Sequence, residues 1–339
     1  MPNSFKLSRR IARFRAPICA ALIVGLVACD DSNSFTPDSN TPAAINPDAP
    51  VDPISIVGDD TPIQEDDATL LAPAGDEVTT AAVSFAGGIP MGTYALPTTQ
   101  FGGTYNGGMR TIGPFELLRE LAAIKQRGGK IVLMMAGSEW NYKDADGHFS
   151  LTKWKQRVDR FRKLNFQSYV QDGTIMAHYL IDEPYDPANW NGRPVPGATI
   201  EEMAKYSKAI WPNMLTVVRA EPYLIKWNGT YRHLDAAWAQ YLWRKGNVND
   251  YISRNVREAQ NMGLGLVVGL NVRHGGNPNL TAMSPDEIRT WGSALLDNSY
   301  ACAFLSWQWY DYTNTSAVRS AMQTLRNKAE SRPSRRCTG

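Results

Sequence analysis

Short apolar runs with the character of buried strands alternate with longer amphipathic segments over residues 83–330. Such alternation is typical of βα units, in which a helix connects each strand to the next parallel strand. The pattern predicts seven strands, at 83–89, 130–136, 174–182, 215–220, 234–242, 264–271 and 301–309. It predicts six helices, at 114–126, 152–169, 200–210, 248–261, 285–296 and 315–330.

Two α/β architectures fit this pattern, a closed barrel and a doubly wound open sheet. The open sheet that binds dinucleotides carries a G-x-G-x-x-G turn between its first strand and helix, and residues 85–92 lack that spacing. We therefore expect a single TIM barrel of the (β/α)8 type, which occupies about 250 residues. Seven strands are visible where the barrel needs eight, so one is missed, irregular or absent.

The N-terminus has the pattern of an export signal. Five Lys and Arg residues precede an apolar run at 16–28, which is too short to span a bilayer. The run ends in Leu26-Val27-Ala28-Cys29, which resembles the bacterial lipobox and implies that Cys29 is lipidated. Residues 1–28 are predicted to be a lipoprotein signal peptide, with an ordinary secretory peptide as the alternative. The expected location is the cell envelope, anchored to a membrane by the Cys29 lipid and facing the periplasm or the exterior.

Charge divides the rest of the chain into two parts. Residues 30–80 hold twelve Asp or Glu, seven Pro and no Lys or Arg, so 29–80 is predicted to be a disordered acidic linker. The body, 81–339, holds 30 Lys and Arg against 21 Asp and Glu, a net charge of +9. This positive charge favours binding to an acidic glycan or an anionic surface, or else it lies on a solvent-exposed face that binds no partner. The basic residues of 153–163 alternate with apolar ones at helical spacing, so we expect no nucleic-acid partner.

The cysteines and histidines indicate no metal or cofactor. Cys302 and Cys337 remain after the leader, and they form either a disulfide or two free thiols. The four histidines show no H-x-H or H-E-x-x-H spacing, and no G-x-S-x-G elbow is present. Neither a metallohydrolase nor a serine hydrolase is therefore expected.

The third predicted strand ends abruptly in Asp182-Glu183-Pro184. A strand followed by Asp-Glu-Pro resembles the tip that presents the acid/base glutamate in many glycoside hydrolases of the (β/α)8 barrel type. The resemblance implies that Glu183 is the general acid/base. Asp182 stands where the commonest form has Asn, so the likeness is to the superfamily rather than to one family.

Glycoside hydrolysis needs a second carboxyl group. Neighbouring strand residues point to opposite faces, so Asp182 and Glu183 are not expected to face one sugar. The candidates are Glu139, Glu221, Asp235 and Asp311. Glu221 is the best placed, because it repeats the strand-then-Glu-Pro pattern, whereas Asp235 lies at the wrong end of its strand. The strand at 264–271 ends without a carboxylate, which argues against a standard retaining mechanism.

Aromatic and polar residues at other strand ends complete the predicted carbohydrate site, with core packing or surface ion pairs as the alternative for each. They are Glu139, Trp140, Arg219, Asn271, Trp307, Trp309 and Asp311. We expect a monomeric glycoside hydrolase acting on an extracytoplasmic carbohydrate. The alternative is a surface glycan-binding lipoprotein that does not cleave. A carboxyl pair about 5–10 Å apart across an open cleft favours the enzyme, and ion-paired carboxylates favour the binder.

Overall fold

A computed structural model describes residues 88–310 and 314–339. Eight parallel strands form a closed barrel in chain order, which confirms the predicted TIM-barrel fold. The strands are β1 Met91–Tyr94, β2 Gly107–Thr111, β3 Lys130–Met134, β4 Ile175–Asp182, β5 Thr216–Arg219, β6 Ala236–Tyr241, β7 Gly265–Leu270 and β8 Ala301–Ser306. The barrel closes where β1 pairs with β8, with Met91 opposite Phe304.

Helices connect the later strands. In the described residues they are α1 Leu117–Gln126, α2 Leu151–Asp159, α3 Gln167–Gln171, α4 Gly197–Ile210, α5 Val248–Asn261, α6 Pro285–Asp297 and α7 Ser316–Glu330. Besides the 3-10 helix Thr98–Gln100 after β1, short 3-10 helices follow three strands of the described chain, at Glu139–Tyr142 after β3, Pro222–Ile225 after β5 and Trp243–Lys245 after β6. These three segments lie in the loops that build the functional face of a TIM barrel.

The strand that the sequence pattern misses is β2, with the sequence Gly-Gly-Met-Arg-Thr. Its two glycines are needed for close packing rather than for strand formation. A Cβ on Gly108 would lie 2.7 Å from the ring of Phe101, and a Cβ on Gly107 would lie 3.0 Å from the backbone nitrogen of Met91. Glycine is uncommon in strands, and the only large apolar residue of this run is Met109. The run therefore lacks the apolar pattern by which the other strands were predicted.

Two predicted elements differ from the structure. The strand predicted at 83–89 is wrong where it can be examined: 83–87 lie outside the described residues, and Ile89 precedes β1 rather than belonging to a strand. The helix predicted at 152–169 is two helices, α2 and α3, separated by a turn with i→i+3 bonds such as Leu164 N to Phe161 O. The turn lets Phe166 leave the helical path and pack on Trp211, with ring centroids 5.4 Å apart.

The other elements agree with the prediction to within three residues at each end. A capping box is also present, since the Ser284 side chain accepts from the Glu287 backbone and the Glu287 side chain accepts from the Ser284 backbone. Such reciprocal bonds satisfy two otherwise unpaired donors at the start of α6.

Apolar side chains fill both the barrel interior and the layer between strands and helices. Inside the barrel, Trp238 donates its indole N–H to the backbone oxygen of Leu305, 3.0 Å away. The interior is closed by the chain's tail, because Cys337 packs there and forms a disulfide with Cys302 on β8. The sequence left open whether these cysteines form a disulfide or two free thiols, and the structure has the disulfide.

The predicted signal peptide 1–28, the linker 29–80 and the lipidation site Cys29 lie outside the described residues and stay predictions. Across residues 88–310 and 314–339, no helix has the length and apolar content needed to cross a bilayer.

Candidate active site

The carboxyl ends of β4 and β5 bring three charged residues together. Asp182 ends β4 and Arg219 ends β5, and the two are paired in register. The Arg219 Nε donates a hydrogen bond to Asp182 Oδ1. Parallel strands of a barrel present their last residues on one face, so this contact follows directly from the topology.

Glu183 also contacts the same guanidinium. Its Oε1 lies 3.1 Å from Arg219 Nη2 and accepts a weaker 3.4 Å bond from the Tyr185 hydroxyl. The side chains of Asp182 and Glu183 therefore contact one guanidinium, which regular strand alternation does not predict. The strand ends at Asp182, and Glu183 has a φ of 34°, so strand alternation no longer applies to its side chain. The Trp190 indole fixes this turn by donating to the Glu183 backbone oxygen at 3.1 Å.

Arg219 is the centre of the cluster. Besides the two carboxylates, its Nη1 donates to Gln240 Oε1 at 3.0 Å, and its guanidinium carbon lies 5.4 Å from the Trp307 ring centroid. Burial alone lowers the pKa of Arg219, but the charges of Asp182 and Glu183 raise it well above the usual value. Arg219 therefore stays cationic.

Glu139 lies near the same cluster, on the 3-10 helix after β3. Burial, followed by the charge of Asp182, raises the pKa of Glu139 to about 8, although Lys143 Nζ lies 3.6 Å from its Oε2. Burial also raises the pKa of Asp182, and Arg219 opposes that rise. Three carboxyl groups around one guanidinium exceed its charge, which favours the protonated form of the most weakly compensated one, Glu139.

A cleft of about 380 Å³ opens beside the cluster. It lies at the carboxyl ends of β4 to β7, the face on which TIM barrels carry their active sites. The cleft is lined by Glu183, Tyr185, Asp186, Arg219, Ala220, Glu221, Trp238, Gln240, Leu242, Arg244, Lys245 and Asn271. Four residues predicted from the sequence, Glu183, Arg219, Glu221 and Asn271, thus share one cavity.

Glu221 lines the cleft as an ion-paired group. Its side chain is only 4% exposed; Oε1 lies 2.6 Å from Lys245 Nζ and Oε2 lies 3.7 Å from Arg254 Nη2. The 3-10 helix Pro222–Ile225 begins directly after it and directs the chain away from the sheet. The contacts of Glu221 therefore connect the β5 loop to the loop after β6 and to α5.

The predicted aromatic residues take different positions. Trp307 lies against Tyr94, with ring centroids 4.4 Å apart, and borders Arg219. Trp309 packs edge-on against Tyr105 and joins the outer apolar core. Trp140 is 66% exposed, and Lys143 Nζ lies 4.5 Å from its ring centroid. None of the three lines the 380 Å³ cleft itself.

Three other candidate carboxylates are not among the lining residues of this cleft in the described structure, and the first, Glu139, lies near Arg219 and Lys143 instead. Asp235 precedes β6, where it pairs with Lys208 at 2.7 Å and accepts from the Thr216 backbone, so it lies at the opposite end of the barrel. Asp311 lies outside the described residues.

The sequence pattern missed several cleft residues: Tyr185, Asp186, Gln240, Arg244 and Lys245. Arg244 and Lys245 follow the end of β6, so reading every strand end for charged residues would have found them. Gln240 gives no such signal, because it lies inside β6 among apolar neighbours. No group of three or more metal-ligating side chains occurs in residues 88–310 and 314–339.

Comparisons with known proteins find only distant structural similarity. No family model and no curated protein matches the chain. The chain is similar to an endo-β-1,4-mannanase from Thermotoga petrophila, with a TM-score of 0.47 and 12% identity over 72% of this chain and 77% of that one. It is also similar to an exo-β-1,4-mannosidase from Opitutaceae bacterium strain TAV5, with a TM-score of 0.48 and 12% identity over 72% and 58%. A chitinase from Pseudoalteromonas aurantia matches with a TM-score of 0.43 and 13% identity over 69% and 99%.

These structures share the barrel architecture, and likeness at this level says nothing about the reaction, since one barrel supports many chemistries. The class that the fold and site define is a TIM barrel with a carboxylate and arginine cluster at its carboxyl-terminal mouth.

Proposed function

We propose that this protein hydrolyses glycosidic bonds of a carbohydrate outside the cytoplasm, with Glu139 and Glu183 as its two carboxyl groups. One observation carries the proposal: near the Arg219 guanidinium, burial raises the pKa of Glu139 to about 8, while Glu183 forms an ion pair. Neighbouring carboxyl groups with opposite protonation states are what this reaction needs, one as acid and one as nucleophile or base.

In the proposed reaction, Glu139 gives its proton to the leaving-group oxygen as the C–O bond breaks. The Glu183 carboxylate either attacks the anomeric carbon or takes a proton from the attacking water, and one water is consumed per bond. The sequence-based hypothesis assigned the proton-donor role to Glu183. Its ion pair with Arg219 supports the ionised role instead, so we assign the proton donor to Glu139. Asp182 shares the same guanidinium and is proposed to hold it in position.

We assign Glu221 to shaping the cleft. The sequence-based hypothesis made it the partner of Glu183, and the cleft does contain both residues. Its ion pair with Lys245 and its 4% exposure favour a role in holding the loop after β6 over a role in proton transfer.

The cleft has properties that suit a sugar. Its volume of about 380 Å³ is in the range of small-molecule sites, and the amides of Gln240 and Asn271 line it. Amide groups bind sugar hydroxyls because each donates and accepts hydrogen bonds. The aromatic pair Tyr94 and Trp307 borders Arg219 and offers apolar contact next to these polar groups.

The proposed setting outside the cytoplasm rests on the lipobox-like sequence ending at Cys29. A lipid-anchored barrel would meet extracytoplasmic glycans rather than cytoplasmic metabolites.

A glycan-binding lipoprotein without cleavage is the second candidate. It is favoured by one observation: Asp182, Glu183 and Glu221 are all paired with cations. An ion-paired carboxylate binds sugar hydroxyls well, but it must be released or reoriented before it attacks a carbon.

The deciding experiment is hydrolysis of a panel of polysaccharides and aryl glycosides by the full-length protein in detergent. Both Glu139→Gln and Glu183→Gln should lose at least about a hundredfold in rate, the scale of general acid–base catalysis. The loss in Glu139→Gln should be smaller on nitrophenyl glycosides, because nitrophenolate leaves without a proton. Glu202→Gln is the matched control, since Glu202 pairs with Lys155 on the helical outer layer and should keep full activity.

Binding to a glycan without turnover would favour the second candidate. Full activity in both variants would overturn the assigned pair.

A further inference from the structure

The 3-10 helix Trp243–Lys245 is a firmly held platform at the edge of the cleft. Its first backbone N–H, on Trp243, donates to Gly275 O in the β7 loop at 2.8 Å. Its last side chain, Lys245, lies 2.6 Å from Glu221 in the β5 loop. The Tyr241 hydroxyl donates to Gly246 O at 2.6 Å, directly after the helix. Three elements therefore fix the middle residue, Arg244, in place.

Arg244 is the cation that the cleft leaves without a partner. Three basic residues line the cleft; Arg219 is occupied by Asp182 and Glu183, and Lys245 is occupied by Glu221. Arg244 is exposed and makes no ion pair or hydrogen bond within the described part of the chain. A rigid backbone that presents an unpaired guanidinium to a cavity is preorganised for an anion.

A second observation points to a ligand in the same cavity. Gln240 lines the cleft and is only 7% exposed, and its Oε1 accepts from Arg219. Its Nε2 is buried and has no hydrogen-bond partner among the described residues. A buried amide donor costs free energy while it is unpaired, so a ligand oxygen at this position would be stabilised.

The neighbouring Trp243 supplies an apolar surface. It is 40% exposed, one of four large hydrophobic side chains in the described residues with substantial exposure. Trp243 itself is not a lining residue, but its neighbours on both sides, Leu242 and Arg244, line the cleft, so it lies at the rim. An exposed indole beside a guanidinium is suited to a ring that has C–H groups on one face and a charged substituent at its edge.

We propose that the cleft recognises a sugar that carries a carboxylate, a uronic acid, with Arg244 binding that carboxylate. Gln240 Nε2 donates to a ring substituent oxygen, and Trp243 packs on the sugar's apolar face. The proposal rests on the proposed carbohydrate function and names its substrate class. The net charge of +9 over residues 81–339 is consistent with an anionic polymer as the partner.

The charges of the cleft favour a monoanion over a phosphate. Glu183, Asp186 and Glu221 line the same cavity, and the Asp186 Oδ1 already accepts from the Ala188 backbone. A doubly charged phosphate would be repelled by these carboxylates more strongly than a carboxylate with a single charge. The planar fork of an arginine also matches the two oxygens of a carboxylate.

The experiment measures binding by calorimetry with the full-length protein in detergent. The probes are oligogalacturonate, oligoglucuronate and oligomannuronate, each beside the same oligosaccharide with its carboxylates reduced to alcohols. A sulfated neutral oligosaccharide is included to separate carboxylate recognition from anion binding in general. At least one uronate should bind about tenfold or more tightly than its reduced form, the scale of one charge-assisted hydrogen bond.

The variants are Arg244→Gln and Arg244→Lys. Arg244→Gln should abolish the preference for the uronate, and Arg244→Lys should keep part of it, because lysine retains the charge without the fork. Arg232→Gln is the matched control; it removes one exposed arginine from the loop before β6, at the other end of the barrel, and should leave binding unchanged.

Equal binding of uronate and reduced forms, tighter binding of the sulfated probe, an unaltered preference in Arg244→Gln, or no binding of any probe would each overturn the recognition proposal. Uronate binding without hydrolysis would support it while contradicting the proposed reaction. Hydrolysis of neutral glycans without uronate binding would contradict the recognition proposal while supporting the proposed reaction.

Discussion

Nη2 of Arg219 lies 3.1 Å from Oε1 of Glu183, so the last residue of β5 forms an ion pair with the residue that follows β4. The same guanidinium binds Asp182 and Gln240, so one cation connects three neighbouring strand ends. Because this cation is largely buried, its removal affects both the stability of the barrel and the protonation of its carboxyl groups.

Arg219→Met should lower the free energy of unfolding by about 3–5 kcal/mol, because it leaves buried carboxylates without their cation. Arg219→Lys should cost less, since it keeps the charge but loses the fork. Urea unfolding measures both values. Arg232→Met, an exposed position, serves as control and should stay within about 0.5 kcal/mol of the natural protein. A loss below 1 kcal/mol in Arg219→Met would mean that the cluster is not a buried ion-pair network.

Hydrolysis should decrease as the pH rises through about 8, because Glu139 then loses the proton that it donates. The direction follows from the raised pKa, which keeps Glu139 protonated over the whole neutral range. The measurement is kcat/KM against pH for the best substrate of the panel. In Glu139→Gln the alkaline decrease should disappear along with most of the rate. If the residual activity of that variant still titrates near pH 8, another group is the acid.

The buried His178 should make the barrel less stable in acid. Burial lowers its pKa from 6.5 to about 3. Its ring stacks on Trp154 and its Nδ1 lies 2.8 Å from Ser207 Oγ. The unfolded chain therefore binds a proton that the folded protein excludes, so stability is lost as the pH falls below 6.5. The free energy of unfolding, measured from pH 7 to 4, should fall more steeply in the natural protein than in His178→Gln; equal slopes would contradict this prediction.

Loss of the disulfide should destabilise the barrel. Cys302 and Cys337 are 35 residues apart, and a crosslink of this kind contributes about 2–4 kcal/mol by restricting the unfolded chain. Urea unfolding with and without reductant should differ by that amount. The Cys302→Ala/Cys337→Ala double variant should match the reduced protein and show no response to reductant. An unchanged midpoint on reduction would show that packing of the tail suffices without the bond.

Most of the barrel could be predicted because its strands and helices differ in hydrophobic period. Strand β7, Gly265–Leu270, is almost purely aliphatic, and helix α5 shows a clear apolar face, so both were found. Strand β2 was missed because its residues were selected for close contact, with Gly108 against the Phe101 ring. Such a requirement depends on a partner distant in the chain and leaves no local pattern.

The site was partly predictable because the predicted strands show where their carboxyl ends lie. Residues at strand ends can be read from the sequence, which identified Asp182, Glu183, Arg219 and Glu221 as neighbours of one cleft. What could not be read was their pairing. Glu183 leaves the strand at a positive φ just before Pro184, and only that turn brings it onto Arg219. Proline after a strand residue signals that the strand ends, but it does not give the direction of the turn.

Cys302 is the second residue of β8, so its bond to Cys337 lies at the start of the strand, away from the cleft at the carboxyl ends. The bond closes a covalent ring in the chain that contains the whole of α7, Ser316–Glu330. Reduction would open this ring without altering any residue of the cleft. The resistance of the barrel to unfolding would therefore follow the redox state of its surroundings, whereas the chemistry of the cleft would not.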